Sequence, residues 1–534
     1  MPSDPLLSSV WFALPILLIG GVSALHATGY LHGDGKKRQG WFWLYFLGTL
    51  ASMLGVVAAR SPLAFLLAWE SMGLFSAGLV GFESTTKESK RATYVYLLAC
   101  QAGALALMCG WIYGLWALIF IGFALKIGFP PFHVWLPEAH PAAPAPASAV
   151  MSGAMIPLGF YGIFRFTNLI TLWRGQETLS GSPYSGCWTF LAFGVVAALG
   201  GILLALPQRN LKKLLAFSSV ENMGVISLGL GLAAFAWTNK AYDLSHLAVG
   251  GAMLHVLNHA LLKGALFLCA GSVLRMTGTL DVDRLGGLMK KMPHTGALFT
   301  INAFGLSGLP PLNGFMSELC IYVAAFKALA YPELVLPASV VIVTLALTGG
   351  IATAVYAKAV SATFLGEARE DHGDVEETPK RMLVAIGALT LLSCILSGTI
   401  VFLIPVGVLL LVRRFLPRGK EHPHQLTWDC GYEKPTARMA WTGTAFSQPL
   451  ADTFRGVLKP REHVVEKFDG LLPVESAVAV ETDDPGIVRF FHPVFRFFAR
   501  TFQRLHLLQN GSLHFYVLLM ILAIAALLIW GALA

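Results

Sequence analysis

Charge is scarce in this sequence. Only 13% of its 534 residues are Asp, Glu, Lys or Arg, against about 25% in a soluble domain. Hydrophobic residues make up 55%, and mean hydropathy is +0.65. That balance excludes a water-soluble globular enzyme and points to a polytopic membrane chain. Of the seven cysteines none falls in a C-x-x-C pair, and all but Cys430 lie in or beside apolar runs, which excludes iron–sulfur and zinc spacing. No G-x-x-x-x-G-K loop and no dinucleotide fingerprint occurs, so no cofactor of its own is expected. The net charge of +8 is not gathered into a basic cluster interleaved with exposed aromatics, so nucleic acid is not an expected partner. Residues 1–9 lack the basic region and small-residue site of a signal peptide, and the first apolar run is expected to stay.

What is present is a series of apolar runs, each about 20 residues, long enough to span a bilayer. They fall near 10–30, 41–59, 62–82, 92–111, 114–129, 147–170, 187–206, 214–235, 245–274, 293–329 and 334–364. The run 382–412 has room for two short helices, and 513–534 closes the chain. The expectation is an all-α fold of roughly fourteen transmembrane helices. Basic residues cluster after odd-numbered spans: Lys36 to Arg38, Lys87 with Lys90 and Arg91, Arg209 with Lys212 and Lys213, Arg275 to Lys291, and Lys380 with Arg381. The positive-inside rule then makes those loops cytoplasmic and the N-terminus external. Arg413, Arg414, Arg418 and Lys420 fit only if 382–412 crosses twice. The polar stretch 417–512 ends in Arg489, Arg496, Arg500 and Arg504 set among Phe residues. It reads as an amphipathic segment in the headgroup interface or against a partner subunit.

Two spans are broken in the same way. Lys126 precedes Pro130-Pro131, and Gly308-Leu309-Pro310-Pro311 precedes Glu318. Irregular backbone at membrane depth is tolerated only where it is buried in protein or lines a cavity. Paired breaks in corresponding halves point to a transport site. An ionisable group in hydrocarbon is costly and faces a bundle interior, unless it snorkels from a helix end. On that ground Glu70, Lys126, Glu221, His255, His259, Lys263 and Glu318 are candidate proton-translocating residues, with Pro130, Pro131, Pro310 and Pro311 as the breaks. Glu221 has Ser218, Ser219 and Asn222 nearby to satisfy it, and Glu318 has the alternative role of capping a restarted half-helix. His255, His259 and Lys263 recur every four residues on one helix face, a spacing suited to proton relay. The two histidines are also eligible for a metal or haem, though no H-E-x-x-H pattern or third ligand accompanies them. Glu70 approaching Lys126 would hold its proton, and withdrawing would release it.

Taken together these segments resemble the antiporter-like subunits of respiratory complex I and its relatives. The resemblance is carried by Trp69-Glu70-Ser71-Met72, by A-L-K-I-G-F-P-P-F-H-V-W-L-P-E-A-H-P-A-A-P from Ala124 to Pro144, and by N-L-K-K-L-L-A-F-S-S from Asn210 to Ser219. N-H-A-L-L-K from Asn258 to Lys263 and G-L-P-P-L-N-G-F-M-S-E from Gly308 to Glu318 complete it. S-S-V-E-N-M-G from Ser218 to Gly224 and W-D-C-G-Y from Trp428 to Tyr432 are similar to the large membrane subunits of hydrogenase-4 and formate hydrogenlyase, the group 4 nickel–iron hydrogenases.

The resemblance implies two inverted five-helix repeats, each with a broken helix, over 41–170 and 187–366. The apolar runs set these between an N-terminal helix in 1–40 and added helices in 380–416, with a polar, amphipathic cytoplasmic segment expected in 417–512 and a final helix in 513–534. The resemblance also implies proton translocation driven by redox chemistry in partner subunits, in a bacterial or archaeal cell (inner) membrane. The partners implied are other membrane subunits and a peripheral hydrogenase or dehydrogenase arm, with protons or sodium ions as the cargo and no redox centre in this chain. The rival readings are a non-conducting membrane anchor and a cation/proton antiporter subunit. Two departures stand out. The family's second Lys, in the segment Met155 to Gly162, is Pro157 here. The two spans that usually precede 10–30 have no counterpart, so a trimmed chain or a misplaced start is expected.

Overall fold

The computed structural model describes residues 5–33, 35–83, 86–166, 185–396, 441–469, 472–482 and 484–505. Two units separate, Met1–Thr482 and Asp483–Ala534. Among the described residues ten helices are long and apolar enough to cross a membrane by length and composition.

The first unit opens with four helices: α1 (Pro5–Tyr30), α2 (Lys36–Ala58), α3 (Pro62–Val80) and α4 (Lys87–Tyr113). Their boundaries follow local chemistry. Ser61 and Thr86 cap α3 and α4 by accepting from the Ala64 and Ser89 amides, and Pro62 takes the first helical position, where its missing N–H costs nothing. The first broken span is α5 (Trp116–Ile127), a 3₁₀ turn (Phe132–Trp135) and α6 (Leu136–Ala142). Next come α7 (Ala145–Val150), a π-helical turn (Met151–Met155) and α8 (Leu158–Phe166). The second half holds α9 (Ser185–Ala205), α10 (Leu211–Thr238), α11 (Tyr242–Thr277) and the short α12 (Leu288–Lys291). The second broken span is α13 (Pro293–Leu306) and α14 (Asn313–Ala328), followed by α15 (Val335–Phe364) and α16 (Lys380–Leu396).

α11 is the central column. Its 36 residues rise about 54 Å, well beyond the ~30 Å hydrocarbon core. It packs against α1, α7, α10, α13, α14 and α16, so its polar residues face protein on most sides. Small residues let its neighbours close in. α9 and α10 approach so tightly that a Cβ on Gly224 would lie 2.2 Å from the Ala198 amide nitrogen, the small-residue packing typical of membrane bundles.

At one end of the bundle the connections after α9, α11 and α15 touch each other. Arg209 pairs with Asp281 at 3.2 Å and Asp283 at 3.0 Å. Arg284 pairs with Glu370 at 2.7 Å, and Lys290 with Glu367 at 2.6 Å. Asp283 also accepts from the Thr444 amide at 2.9 Å, pinning helix α17 (Gly443–Thr453) to the same end. These connections carry basic groups that the sequence assigned to one membrane face.

The membrane portion is helical, as expected. The expected all-α chain is corrected in one place: Arg461–Asp469 and Leu472–Glu481 form an antiparallel two-stranded hairpin, after a short α18 (Arg455–Leu458). Alternating residues such as V-E-S-A-V-A-V carry the period-2 signal of a strand, which the broad reading of 417–512 as one amphipathic segment passed over. In the second unit a π-helical turn (Gly486–Phe491) leads into α19 (His492–Leu505), with Phe490, Phe495 and Phe497 exposed. The second crossing of 382–412, the Trp428 to Tyr432 motif and the helix in 513–534 lie outside the described residues.

Candidate functional site

Both breaks are built alike. Gly128 and Gly308 take φ of 78° and 66°, the left-handed end that glycine provides without a Cβ clash. The Pro130-Pro131 and Pro310-Pro311 peptides that follow are cis. At the first break Trp135 Nε1 donates to the Leu125 carbonyl at 2.7 Å, satisfying a group left over where α5 stops. At the second, a Cβ on Gly314 would sit 1.9 Å from the Gly305 carbonyl oxygen. Only glycine lets the two half-helices approach that closely.

Lys126 is buried in the last turn of α5. Its ammonium donates to Tyr96 Oη at 3.4 Å and lies 3.7 Å from Cys100 Sγ. It sits 5.7 Å and 5.5 Å from the ring centroids of Trp69 and Tyr96, within cation–π range. Snorkelling is excluded by this burial. Half-buried Glu70 instead accepts from Gln101 Nε2 at 2.8 Å. The direct Glu70–Lys126 ion pair expected from the sequence is not formed among the described residues. The two are linked through adjacent residues of α4, Cys100 and Gln101.

The larger polar cluster lies in the second half. Lys263 is fully buried and donates to the Leu215 carbonyl at 3.1 Å, to Tyr356 Oη at 3.1 Å and to Ser218 Oγ. Three donors with three acceptors offset much of the cost, several kcal/mol, of holding an ion in the interior. Asn222 donates to Glu221 Oε2 at 2.5 Å and to the Ser218 carbonyl at 2.7 Å. Ser218, expected to satisfy Glu221, serves Lys263 instead. His255 Nε2 lies 3.1 Å from Asn222 Oδ1, and its Nδ1 lies 2.9 Å from Ser317 Oγ. Asn258 donates to the Asn313 carbonyl at 2.6 Å and to Ser317 Oγ at 3.1 Å. The line therefore runs from Lys263 through α10 and back through His255 to the start of α14. His255, His259 and Lys263 share a face but do not bond to one another. Both ring nitrogens of His259 are buried without a hydrogen-bond partner among the described residues. His140, His255 and Lys263 are its titratable neighbours.

Glu318, half-buried in the second turn of α14, rests against the second break. A Cβ on Gly308 would lie 2.7 Å from its Oε2. It lies too deep in the helix for a first-turn cap. Among the described residues no group of three or more His, Cys, Asp or Glu is arranged to hold a metal.

Several buried polar groups went unread in the sequence. Lys212, taken as a loop charge, is wholly buried and donates to the Ala143 carbonyl at 2.7 Å, capping α6. Lys358, inside the 334–364 run, donates to the Leu206 and Gln208 carbonyls at 2.8 and 3.0 Å. The rule that singled out Lys126 applies to Lys358 equally. His140 stacks on Phe267 at 5.0 Å, and Tyr96 and Tyr356 are the hydroxyls that receive the two central lysines.

Residues 112–345 match the family model described as NADH:quinone oxidoreductase/Mrp antiporter, TM. Hydrogenase-4 component B of Escherichia coli is 30% identical over 98% of this chain and 88% of its own length. Formate hydrogenlyase subunit 3 of the same organism is 32% identical over 65% of this chain and 61% of its own. A Na(+)/H(+) antiporter subunit of Alkalihalophilus pseudofirmus is 31% identical over 71% of this chain and half of that protein. A chain of the archaeal membrane-bound sulfane sulfur reductase shares the fold, with a TM-score of 0.73 at 21% identity over 97% of this chain and 88% of that one. With the matched length holding both broken helices, Lys126 and Lys263, this chain belongs to the NADH:quinone oxidoreductase/Mrp antiporter family of membrane subunits.

Proposed function

We propose that this chain is the proton-translocating membrane subunit of a complex I-like membrane-bound hydrogenase of the hydrogenase-4 and formate hydrogenlyase type. It works in a bacterial or archaeal cell membrane beside other membrane subunits and couples redox chemistry in a peripheral arm to ion movement. Two inverted five-helix repeats over 41–170 and 187–366, each with one Gly-x-Pro-Pro break, supply the frame. The spans beyond the ten described complete the count of about fourteen.

The observation that carries this reading is the polar line joining Lys263, Ser218, Asn222, His255 and Ser317. It crosses α10, α11 and α14 in the interior of the bundle. Hydrogen-bonded titratable groups buried at membrane depth are what proton conduction needs and what a passive anchor has no use for. In the proposed sequence Lys126 and Glu70 receive the input through α4. Glu221, His255, His259 and Lys263 carry protons laterally, and Glu318 releases them at the second break.

The test is the assembled complex in vesicles, with electron donor supplied and internal pH followed. Lys263→Met and Glu221→Gln are expected to abolish the pH change while the redox reaction continues. A pH change that requires sodium, and that persists without redox turnover, establishes the antiporter reading instead.

A further inference from the structure

The basic residues at one end of the first half have no part in the polar line. Lys36, Lys37 and Arg38 open α2, and Lys87, Lys90 and Arg91 lie at the start of α4. All six are exposed. Basic clusters at the cytoplasmic end of spans attract anionic lipid headgroups, and basic pockets between spans bind them.

Such a pocket lies directly below. A groove of about 970 Å³ runs between α2, α3 and α4, at the upper end of the size range of small-molecule sites. Lys37 and Arg38 line its outer end, with the Arg38 guanidinium 5.1 Å from the Phe82 ring centroid. Trp41 and Tyr45 follow along α2, their rings stacked at 5.9 Å, as aromatic side chains gather at a membrane interface. From Lys37 to Tyr45 the helix rises about 12 Å, enough to pass from headgroups into hydrocarbon. Gly78 lets the Tyr45 ring lie against α3, since a Cβ there would come within 2.6 Å of it. Farther in, the wall is apolar, with Leu74, Ala77 and Leu97. No carboxylate is among the described residues that line the groove, and Glu83 opens on the adjoining cavity instead. Cations at one end and an apolar wall at the other match a phosphate carrying a hydrocarbon tail.

The inner wall of the groove backs on Lys126. Ala77 adjoins Ser76 in α3, and Leu97 adjoins Tyr96 in α4. Ser76 Oγ lies 2.5 Å from Tyr96 Oη, the hydroxyl that receives Lys126. We propose that an anionic phospholipid occupies this groove, its phosphate on Lys37 and Arg38 and one tail between α3 and α4, and that it holds those helices together so that Tyr96 stays on Lys126. The effect on transport rests on the proton-translocating reading above, whereas the binding does not.

The test is photolabelling of the intact complex in phosphatidylcholine nanodiscs that carry a trace of diazirine-tailed lipid, either phosphatidylglycerol or phosphatidylcholine, read by peptide mass. In the wild type phosphatidylglycerol should label Leu74, Ala77 and Leu97 about tenfold more than phosphatidylcholine. The double variant Lys37→Gln, Arg38→Gln should bring the two lipids level. Equal labelling in the wild type, which needs no variant to fold, overturns the lipid site and leaves the functional reading standing. Selectivity that survives the double variant overturns the placing of the phosphate. In vesicles, proton translocation per redox turnover should be several-fold greater with phosphatidylglycerol than with phosphatidylcholine alone, and the double variant should lose that difference. Selective labelling with equal translocation in both vesicles, or a difference that the double variant keeps, overturns the hold on Tyr96. No translocation in either vesicle overturns the functional reading while the labelling result stands.

Discussion

Gly200 and Gly201 are neighbours on α9 with opposite surroundings, and alanine at each should behave in opposite ways. A Cβ on Gly200 meets nothing within 4 Å. One on Gly201 would lie 2.5 Å from the Glu221 amide nitrogen and 2.9 Å from the Phe217 carbonyl oxygen. Ordinary contact begins at 3.4 Å, so α10 must retreat by about 0.9 Å, and because the obstacle is backbone no side chain can swing away. Overpacking of this kind costs about 1–3 kcal/mol. Gly200→Ala carries no such cost and should gain about 0.5–1 kcal/mol from the stiffer helix. The two variants should therefore differ by about 1.5–4 kcal/mol, a factor of ten or more in the folding equilibrium. Heating the purified complex in detergent while a thiol probe reports on buried Cys269 reads this difference. Gly201→Ala should expose Cys269 at a lower temperature than wild type, and Gly200→Ala should not. Because Gly201 presses on Glu221, the first variant should also lose proton translocation under conditions where it is still folded. If the two alanines unfold together, the α9–α10 contact is not as close as described.

Gly308→Ala places a Cβ against the Glu318 carboxylate and forces a left-handed φ that costs an L-residue about 1–2 kcal/mol. The complex should assemble and pump poorly, read as acidification per redox turnover. Trp135→Phe removes the donor to the Leu125 carbonyl, leaving it unpaired at a cost of about 1–3 kcal/mol, and should lower the thermal midpoint. Asp283→Ala takes away partners of Arg209 and of the Thr444 amide. Protease cleavage near 441–453 should rise while translocation holds, because that loop cluster lies away from the polar line.

Much of this was legible in the sequence because hydrocarbon makes ionisable residues conspicuous. Lys126, Glu221, His255 and Lys263 stood out from apolar runs, and each sits inside the bundle. The breaks were legible because adjacent prolines end a helix whatever surrounds them. Partners were harder to read, since hydrogen bonds join residues far apart in the chain. Ser218 lies beside Glu221 yet serves Lys263, and Glu70 turns to Gln101 rather than Lys126. Lys212 was misread because a basic residue next to a loop looks like any other, and only packing against α6 buries it. The hairpin over 461–481 was missed because its alternation lies in a stretch scanned for helical amphipathicity.

The account stands most directly on the two broken helices. Lys126→Ala and Glu318→Gln, introduced separately and reconstituted as the assembled complex in vesicles, should each stop proton translocation while subunit composition and redox turnover stay at wild-type levels. Translocation at the wild-type rate in either variant, with assembly intact, would contradict it.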